Sequence, residues 1–185
     1  RGTMREGKKR KLFEAVIEPC YENVYRFILS QTKDQELTQD LTQNTFEKAW
    51  LKLEQLRDTE AALSWLLSIA NSEKNLYFRA QNRDKRSLFK ETPYDGTELE
   101  LIDLECNVLD EILLNESKME AIKALYQVEE KYREVVWLRI IEEMEYDEIA
   151  ETLDMKEGTV RTRYRRGLIC LREEYAEVIG GENRE

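Results

Sequence analysis

Apolar residues recur along this chain at three- and four-residue steps, the spacing of one helix face, and sustained period-two alternation is absent. Phe13, Val16, Ile17 and Cys20, followed by Val24, Phe27 and Ile28, predict a first helical stretch. Pro19 lacks an N–H and is expected to break that stretch or start a second helix. Asp34 is placed to cap the next helix, whose stripe reads Leu37, Leu41, Phe46 (or Thr45), Ala49, Leu53 and Leu56. Asp58 or Thr59 is the candidate cap of a third, with Leu63, Leu66, Ile69, Ala70 and Leu76 in series. These helices predict a compact bundle ending near residue 90.

The pattern then changes. Thr92-Pro93-Tyr94-Asp95-Gly96 reads as a turn, and an acidic stretch with scattered Leu and Ile follows to about Glu116. Repulsion among its carboxylates predicts a flexible linker with at most marginal helix. Helical spacing resumes with Met119, Ile122 and Leu125 and continues through Val135, Val136, Leu138 and Ile141. Tyr146, Ile149, Ala150 and Leu153 define a short helix, and Asp154-Met155-Lys156 a tight break for which Asp tolerates the left-handed conformation. In the helix after it, Val160, Tyr164, Gly167 and Leu171 share one side. Arg161, Thr162, Arg165 and Arg166 share the opposite side with Ile169. Arg163 falls toward the apolar edge, where pairing with an acid of the preceding helix is the alternative to solvent. The fold class is all-α: two small helical domains joined by an acidic flexible linker.

Charge sharpens this division. The whole chain carries a net charge of −10, which taken alone disfavours a polyanionic partner. Residues 1–90 hold 17 basic and 13 acidic groups, residues 91–130 hold 2 and 12, and residues 131–185 hold 10 and 14. Polyanion binding depends on cations within a Debye length of about 8 Å rather than on the chain sum. Two stretches are locally basic: Lys74 to Arg86 and on to Lys90, and Lys156 to Arg172. The second lies on a helix-turn-helix, whose second helix fits the major groove and whose arginines can reach guanine edges and phosphates.

Other chemistries are poorly supplied. The chain has no His, which removes imidazole-dependent triads and most catalytic zinc sites. Cys20, Cys106 and Cys170 are odd in number and far apart, so neither a disulfide framework nor a zinc knuckle is indicated. No phosphate-cradling Gly loop is present, and no cofactor or catalysis is expected. The longest mostly apolar run, Ala61 to Ala70, falls short of the ~20 residues a membrane span needs. With no apolar N-terminal stretch resembling a signal peptide, the expected location is cytoplasmic, without direct membrane contact. Arg1 to Met4 read as a cloning remnant ahead of a native Met, and residues 1–11 as a tag remnant or disordered N-terminus.

The sequence LRIIEEMEYDEIAETLDMKEGTVRTRYRRG resembles the C-terminal DNA-binding domain of bacterial sigma factors, especially the extracytoplasmic-function (ECF, group IV) type of the sigma-70 family. LuxR-type activators share a similar helix-turn-helix, and the N-terminal half separates the two. QDLTQNTFEKAW, residues 39–50, resembles the sigma family's polymerase-binding helix, and SWLLSIANSEKNLYFRAQNRDKR, residues 64–86, its promoter-melting and −10-recognition segment. The resemblance implies a sigma-2-like domain over residues 12–91, an acidic linker over 92–118, a sigma-4-like domain over 119–179 and a tail over 180–185.

Residue by residue, it implies core-polymerase contacts at Asp40, Gln43, Asn44, Phe46 and Glu47, with Trp50 assigned to the core. Asp40, Gln43, Asn44 and Glu47 also form a polar strip at i, i+3, i+4 and i+7 in their own right. For the −10 element the candidates are Trp65, Asn71, Ser72, Lys74, Asn75, Tyr77, Arg79, Arg83, Lys85 and Arg86. Aromatic faces there stack on unpaired bases while cations track the backbone. The family often has Asn where Ser72 stands and Asp where Leu76 stands, so the reader of an extruded base stays open among Asn71, Ser72 and Asn75. For −35 duplex the candidates are Lys156, Thr159, Arg161, Thr162, Arg165 and Arg166, with Lys156 in place of the usual capping Ser. The partners implied are core RNA polymerase, promoter DNA (duplex at −35, single-stranded at −10) and an anti-sigma factor, a membrane-anchored one included. The rival functions are a LuxR-type activator and a sigma-like adaptor without DNA binding.

Overall fold

The computed structural model describes residues 5–81 and 118–182, and the chain divides into two compact units, one of residues 1–89 with 151–154 and the other of residues 90–150 and 155–185. The described residues are helical and hold no strand. The acidic linker over 92–118, apart from its last residue, and the end of the tail lie outside them, as do Arg83, Lys85 and Arg86.

The first unit begins with α1 (Glu6–Leu12), in the stretch read from the sequence as a tag remnant or disordered N-terminus. Glu6 in its first turn and Lys9, Arg10 and Lys11 in its last complement the helix dipole. The ring of Phe13, just beyond its end, packs edge-on against Trp50 and Phe46. Pro19 rewinds the helix rather than breaking it. The chain loosens into a π-helical turn over Phe13–Ile17, tightens into a 3-10 turn over Glu18–Cys20, and continues as α2 (Tyr21–Thr32). A left-handed Lys33 (φ 55°) stops α2, its N–H donating to the Leu29 carbonyl. Asp34 then caps α3 (Gln35–Lys52), its carboxylate accepting from the Leu37 N–H at 3.0 Å.

The inward face of α3 is Thr38, Leu41, Thr42, Thr45 and Ala49. The stripe predicted through Leu37 and Phe46 is therefore rotated, with Thr45 taking the core position. Small residues at these places permit close approach to α2 and α4 (Ala62–Gln81). Along α4, Leu66, Leu67, Ile69, Ala70 and Asn71 are buried, whereas Leu76 is 59% exposed and does not join the core. Asp58 accepts from the Glu60 N–H in the turn before α4, and because α4 begins at Ala62 neither Asp58 nor Thr59 stands at the position just before the helix.

The second unit contains α5 (Lys118–Gln127), α6 (Glu130–Ile140), α7 (Tyr146–Leu153) up to Ala150, and α8 (Glu157–Glu182). Met119 and Ile122 are exposed, and the core of α5 is Ala124 and Leu125. Helix α8 lies against both α5 and α6, burying Val160, Tyr164, Leu168, Leu171 and Tyr175. Gly167 is the point of closest approach: a Cβ there would overlap Val136 Cγ2 and lie 3.3 Å from Tyr132 Cβ. A buried and a half-buried arginine fasten the connections. Arg133 donates to the Tyr126 and Val128 carbonyls at the α5–α6 turn, and Arg139 to the Met144 carbonyl and the Glu145 carboxylate after α6. Asp154 adopts the left-handed conformation (φ 51°) expected between α7 and α8.

Candidate functional site

The polar strip of α3 is presented as its spacing predicts. Asp40, Gln43, Asn44 and Glu47 are all exposed, and the Gln43 amide donates to the Glu47 carboxylate at 3.0 Å, one turn on. Phe46 stands beside them, half-buried, tilted against Tyr21 at 5.4 Å. Trp50, assigned to the core, is only half-buried. It lines, with Phe13, Tyr21, Phe46 and Leu51, an open groove of about 1060 Å³ whose rim carries Gln43 and Glu47. Leu51 is 74% exposed and Tyr21 also faces outward, so the polar strip borders an unusually apolar surface. Leu51 was missed because it lies off the inward stripe, the only signal being a large apolar residue on a polar flank.

A second concavity, of about 250 Å³, opens between the C-terminal end of α3 and α4. Lys48 and Lys52 from α3 face Trp65, Ser68, Ser72 and Glu73 from α4 across it. Lys48 is ion-paired with Glu73, whose carboxylate is buried. Of the three candidate base readers, Ser72 lines this cavity. Asn71 is buried, its side-chain oxygen without a hydrogen-bond partner among the described residues, and Asn75 lies half-buried one turn along. Tyr77 and Phe78 contact edge-on at 5.5 Å, and Arg79 is exposed.

Lys74 departs from expectation. It is 1% exposed, on the inward stripe of Leu67, Ala70 and Asn71 at i−7, i−4 and i−3, and does not project a cation into solvent. Lys48 and Lys52, which do reach the cavity, were not singled out. Their signal was a Lys pair at i, i+4 on the turn of α3 that ends its apolar stripe.

Helix α8 divides its arginines among tasks. Lys156 sits at the N-cap, its carbonyl accepting from the Val160 N–H at 3.1 Å. Arg161 is half-buried, donating to Glu157 at 2.8 Å and lying over the Tyr146 ring at 4.4 Å. Arg163 is turned back to Glu134 of α6 (3.1 Å), one helix earlier than the partner expected. Arg165 and Arg166 are half-buried on the flank away from Tyr164. Thr159 is half-buried. Thr162, expected on the outward face, is 2% exposed, its hydroxyl donating to the Gly158 carbonyl at 2.9 Å. A threonine can be buried at such a place because its own helix satisfies its hydroxyl.

Comparison with known proteins places these two units. Residues 16–84 match the family model of sigma-70 region 2, and residues 118–171 that of sigma-70 region 4. An ECF RNA polymerase sigma-E factor of Haemophilus influenzae is 31% identical over 166 residues, spanning 86% of this chain and 85% of the relative. The chain belongs to the ECF sigma factors. A second member, SigX of Bacillus subtilis, is 26% identical across 87% of this chain and 82% of its own length. The fold is also that of the sigma factor RpoE of Bartonella quintana, solved in complex with the anti-sigma factor NepR. The TM-score is 0.62 at 20% identity, over 91% of this chain and 96% of that one. Within this ECF sigma factor, the α3 strip and the α3–α4 cavity fall in the region 2 match, and α7 with the Arg-bearing part of α8 in the region 4 match. No helix among the described residues is long and apolar enough to cross a membrane.

Proposed function

We propose that this sigma factor divides promoter recognition between its two units while α3 holds core RNA polymerase. The observation that carries the reading is the occurrence, in one chain and in this order, of a region 2 match containing an aromatic-and-lysine cavity and a region 4 match ending in an Arg-bearing helix. Sigma factors direct transcription initiation by binding, so the roles of the residues are contacts rather than bond chemistry.

Asp40, Gln43, Asn44 and Glu47, with Phe46, dock the polymerase. An unpaired −10 base enters the α3–α4 cavity, where Trp65 offers a face and Ser72 a hydroxyl. Lys52 draws in its phosphates, and Asn75, Tyr77 and Arg79 follow the strand. Binding the opened strand preferentially shifts the duplex toward melting without ATP. In the second unit Arg165 and Arg166, flanked by Lys156, Thr159 and Arg161, read −35 duplex. An anti-sigma factor is the natural antagonist, a reading supported by the likeness to the RpoE fold seen in complex with NepR.

Run-off transcription with purified core polymerase tests the division of labour. Arg165→Ala with Arg166→Ala should lose about 1–3 kcal/mol per base contact and abolish dependence on the −35 sequence. Trp65→Ala should slow open-complex formation on a duplex template and spare initiation from a pre-melted bubble. Undiminished −35 dependence in the arginine variant would refute the assignment of α8. A rival activator function would appear as specific promoter binding without core enzyme.

A further inference from the structure

We propose that α1 is a third nucleic-acid contact: a cationic helix that binds promoter phosphates beside the strand held in the α3–α4 cavity. The proposal extends the reading above and begins from charge. Arg5, Lys8, Lys9, Arg10 and Lys11 stand within seven residues that contain one acid, Glu6. All but Lys9 are exposed, and none of the five forms an ion pair with an acid among the described residues. The other basic groups of this unit are partly spent: Lys48 on Glu73, Arg26 on Glu22, and Lys74 in the interior. Unneutralised cations at this density favour a polyanion, because binding releases the counterions condensed on it.

Placement selects the polyanion. Lys9 lies over the Trp50 ring at 4.9 Å, and Phe13 packs edge-on against the same ring at 5.3 Å. The Lys9 side chain thus ties the end of α1 to the last full turn of α3. Lys48 and Lys52, two residues to either side of Trp50, line the cavity across the helix. A helix is only about 10–12 Å across with its side chains, so the α1 cations and the cavity mouth flank one turn of α3. A strand delivering a base to that cavity carries its neighbouring phosphates around this end of the helix. Contact there would be to backbone alone, adding affinity and salt dependence without sequence preference.

The test uses holoenzyme reconstituted from core polymerase and the full chain. The variant Lys8→Gln, Arg10→Gln, Lys11→Gln leaves Lys9 on Trp50. The charge-keeping variant Lys8→Arg, Arg10→Lys, Lys11→Arg controls for folding. Binding to a promoter fragment and to a scrambled fragment is measured from 50 to 200 mM salt. The glutamine variant should flatten the plot of log affinity against log salt by up to about 2.7 for three lost phosphate contacts, so that the fall across this range shrinks by roughly forty-fold. The flattening should be equal on both fragments, and the charge-keeping variant should retain the wild-type slope. An unchanged slope in the glutamine variant overturns the proposal, as does weakened assembly with core enzyme at unchanged slope, which would make α1 a polymerase contact. The wild-type preference for promoter over scrambled DNA reports separately on the proposed function, so either reading can fail without the other.

Discussion

Replacing Gly167 by Ala should destabilise the second unit although it replaces a poor helix former by the best one. In the interior of α8 the change gains about 1 kcal/mol of intrinsic helix propensity. Against this, the new methyl would overlap Val136 Cγ2 and press on Tyr132, 3.3 Å from its Cβ and 3.4 Å from its carbonyl. Val136 is fully buried and β-branched, so it has no free rotamer into which to withdraw. Forcing a methyl into such a site costs about 1–3 kcal/mol. The net effect is a loss of about 1 kcal/mol, which lowers Tm by roughly 4–8 °C for a unit of this size. Gly158, with no atom within 4 Å of the corresponding Cβ, supplies the control, and Gly158→Ala should be neutral or stabilising. Urea unfolding followed by the fluorescence of buried Trp137, in a Trp50→Phe, Trp65→Phe background, isolates the second unit. Val136→Ala should remove most of the penalty of Gly167→Ala in a double-mutant cycle. If Gly167→Ala raises the midpoint as Gly158→Ala does, or its cost is unchanged beside Ala at position 136, the close approach of α6 and α8 is not what requires glycine.

Three further outcomes follow from single contacts. Asp34→Ala leaves the Leu37 N–H without its cap and should cost about 1 kcal/mol, read from the urea midpoint of the first unit; no shift would mean that water replaces the carboxylate at no cost. Arg163→Ala removes the ion pair with the Glu134 carboxylate, only 9% exposed, and should cost about 2 kcal/mol while sparing −35 affinity per folded molecule, whereas a loss of affinity with unchanged unfolding would contradict a structural role. Burial, with the nearby Glu173 carboxylate adding to it, pushes the Cys170 thiol above its usual 9.0. In a Cys20→Ser, Cys106→Ser background, iodoacetamide should therefore react more slowly than with a free thiol at pH 8, with its inflection above pH 9.0. Because the folded state holds this proton more tightly, its stabilising effect is complete below the unfolded thiol pKa and is lost as pH rises through the folded one; an inflection at or below 9.0 would remove both expectations.

Local rules carried much of the fold. The Asp34 cap, the left-handed Asp154 and the buried row Val160, Tyr164, Gly167 and Leu171 each depend on residues within about three turns, and each is found where spacing put it. The inward face of α3 was not legible in the same way. Counting apolar side chains favours Leu37 and Phe46, yet the structure buries Thr38, Thr42 and Thr45. Two of these hydroxyls donate to carbonyls four residues back, Thr38 to Asp34 and Thr45 to Leu41, which removes most of the polar cost of burial. Their small size then lets the neighbouring helices approach, an advantage no single-helix pattern contains. Leu76 illustrates the converse: it lies at a plausible helical step, yet it is 59% exposed and outside the core formed by the described residues.

Charge density was the less reliable guide, for a physical reason. A guanidinium has five donors and is weakly hydrated, so it can fasten carbonyls and carboxylates inside a small domain where a lysine ammonium is more costly to bury. In the second unit Arg133 and Arg139 hold two connections and Arg163 holds α8 to α6. Arg161 is aligned by Glu157 and Tyr146. A count of basic residues in this segment therefore overstates the charge a phosphate meets. Applied to the first unit, the same accounting subtracts Lys74 and discounts Lys48, and it restores weight to Lys8, Arg10 and Lys11, which stand exposed and form no ion pair among the described residues. The cation count of the first 90 residues is thus concentrated at the N-terminal helix more than the linear sequence suggests, and that concentration is the physical basis for placing a phosphate contact there.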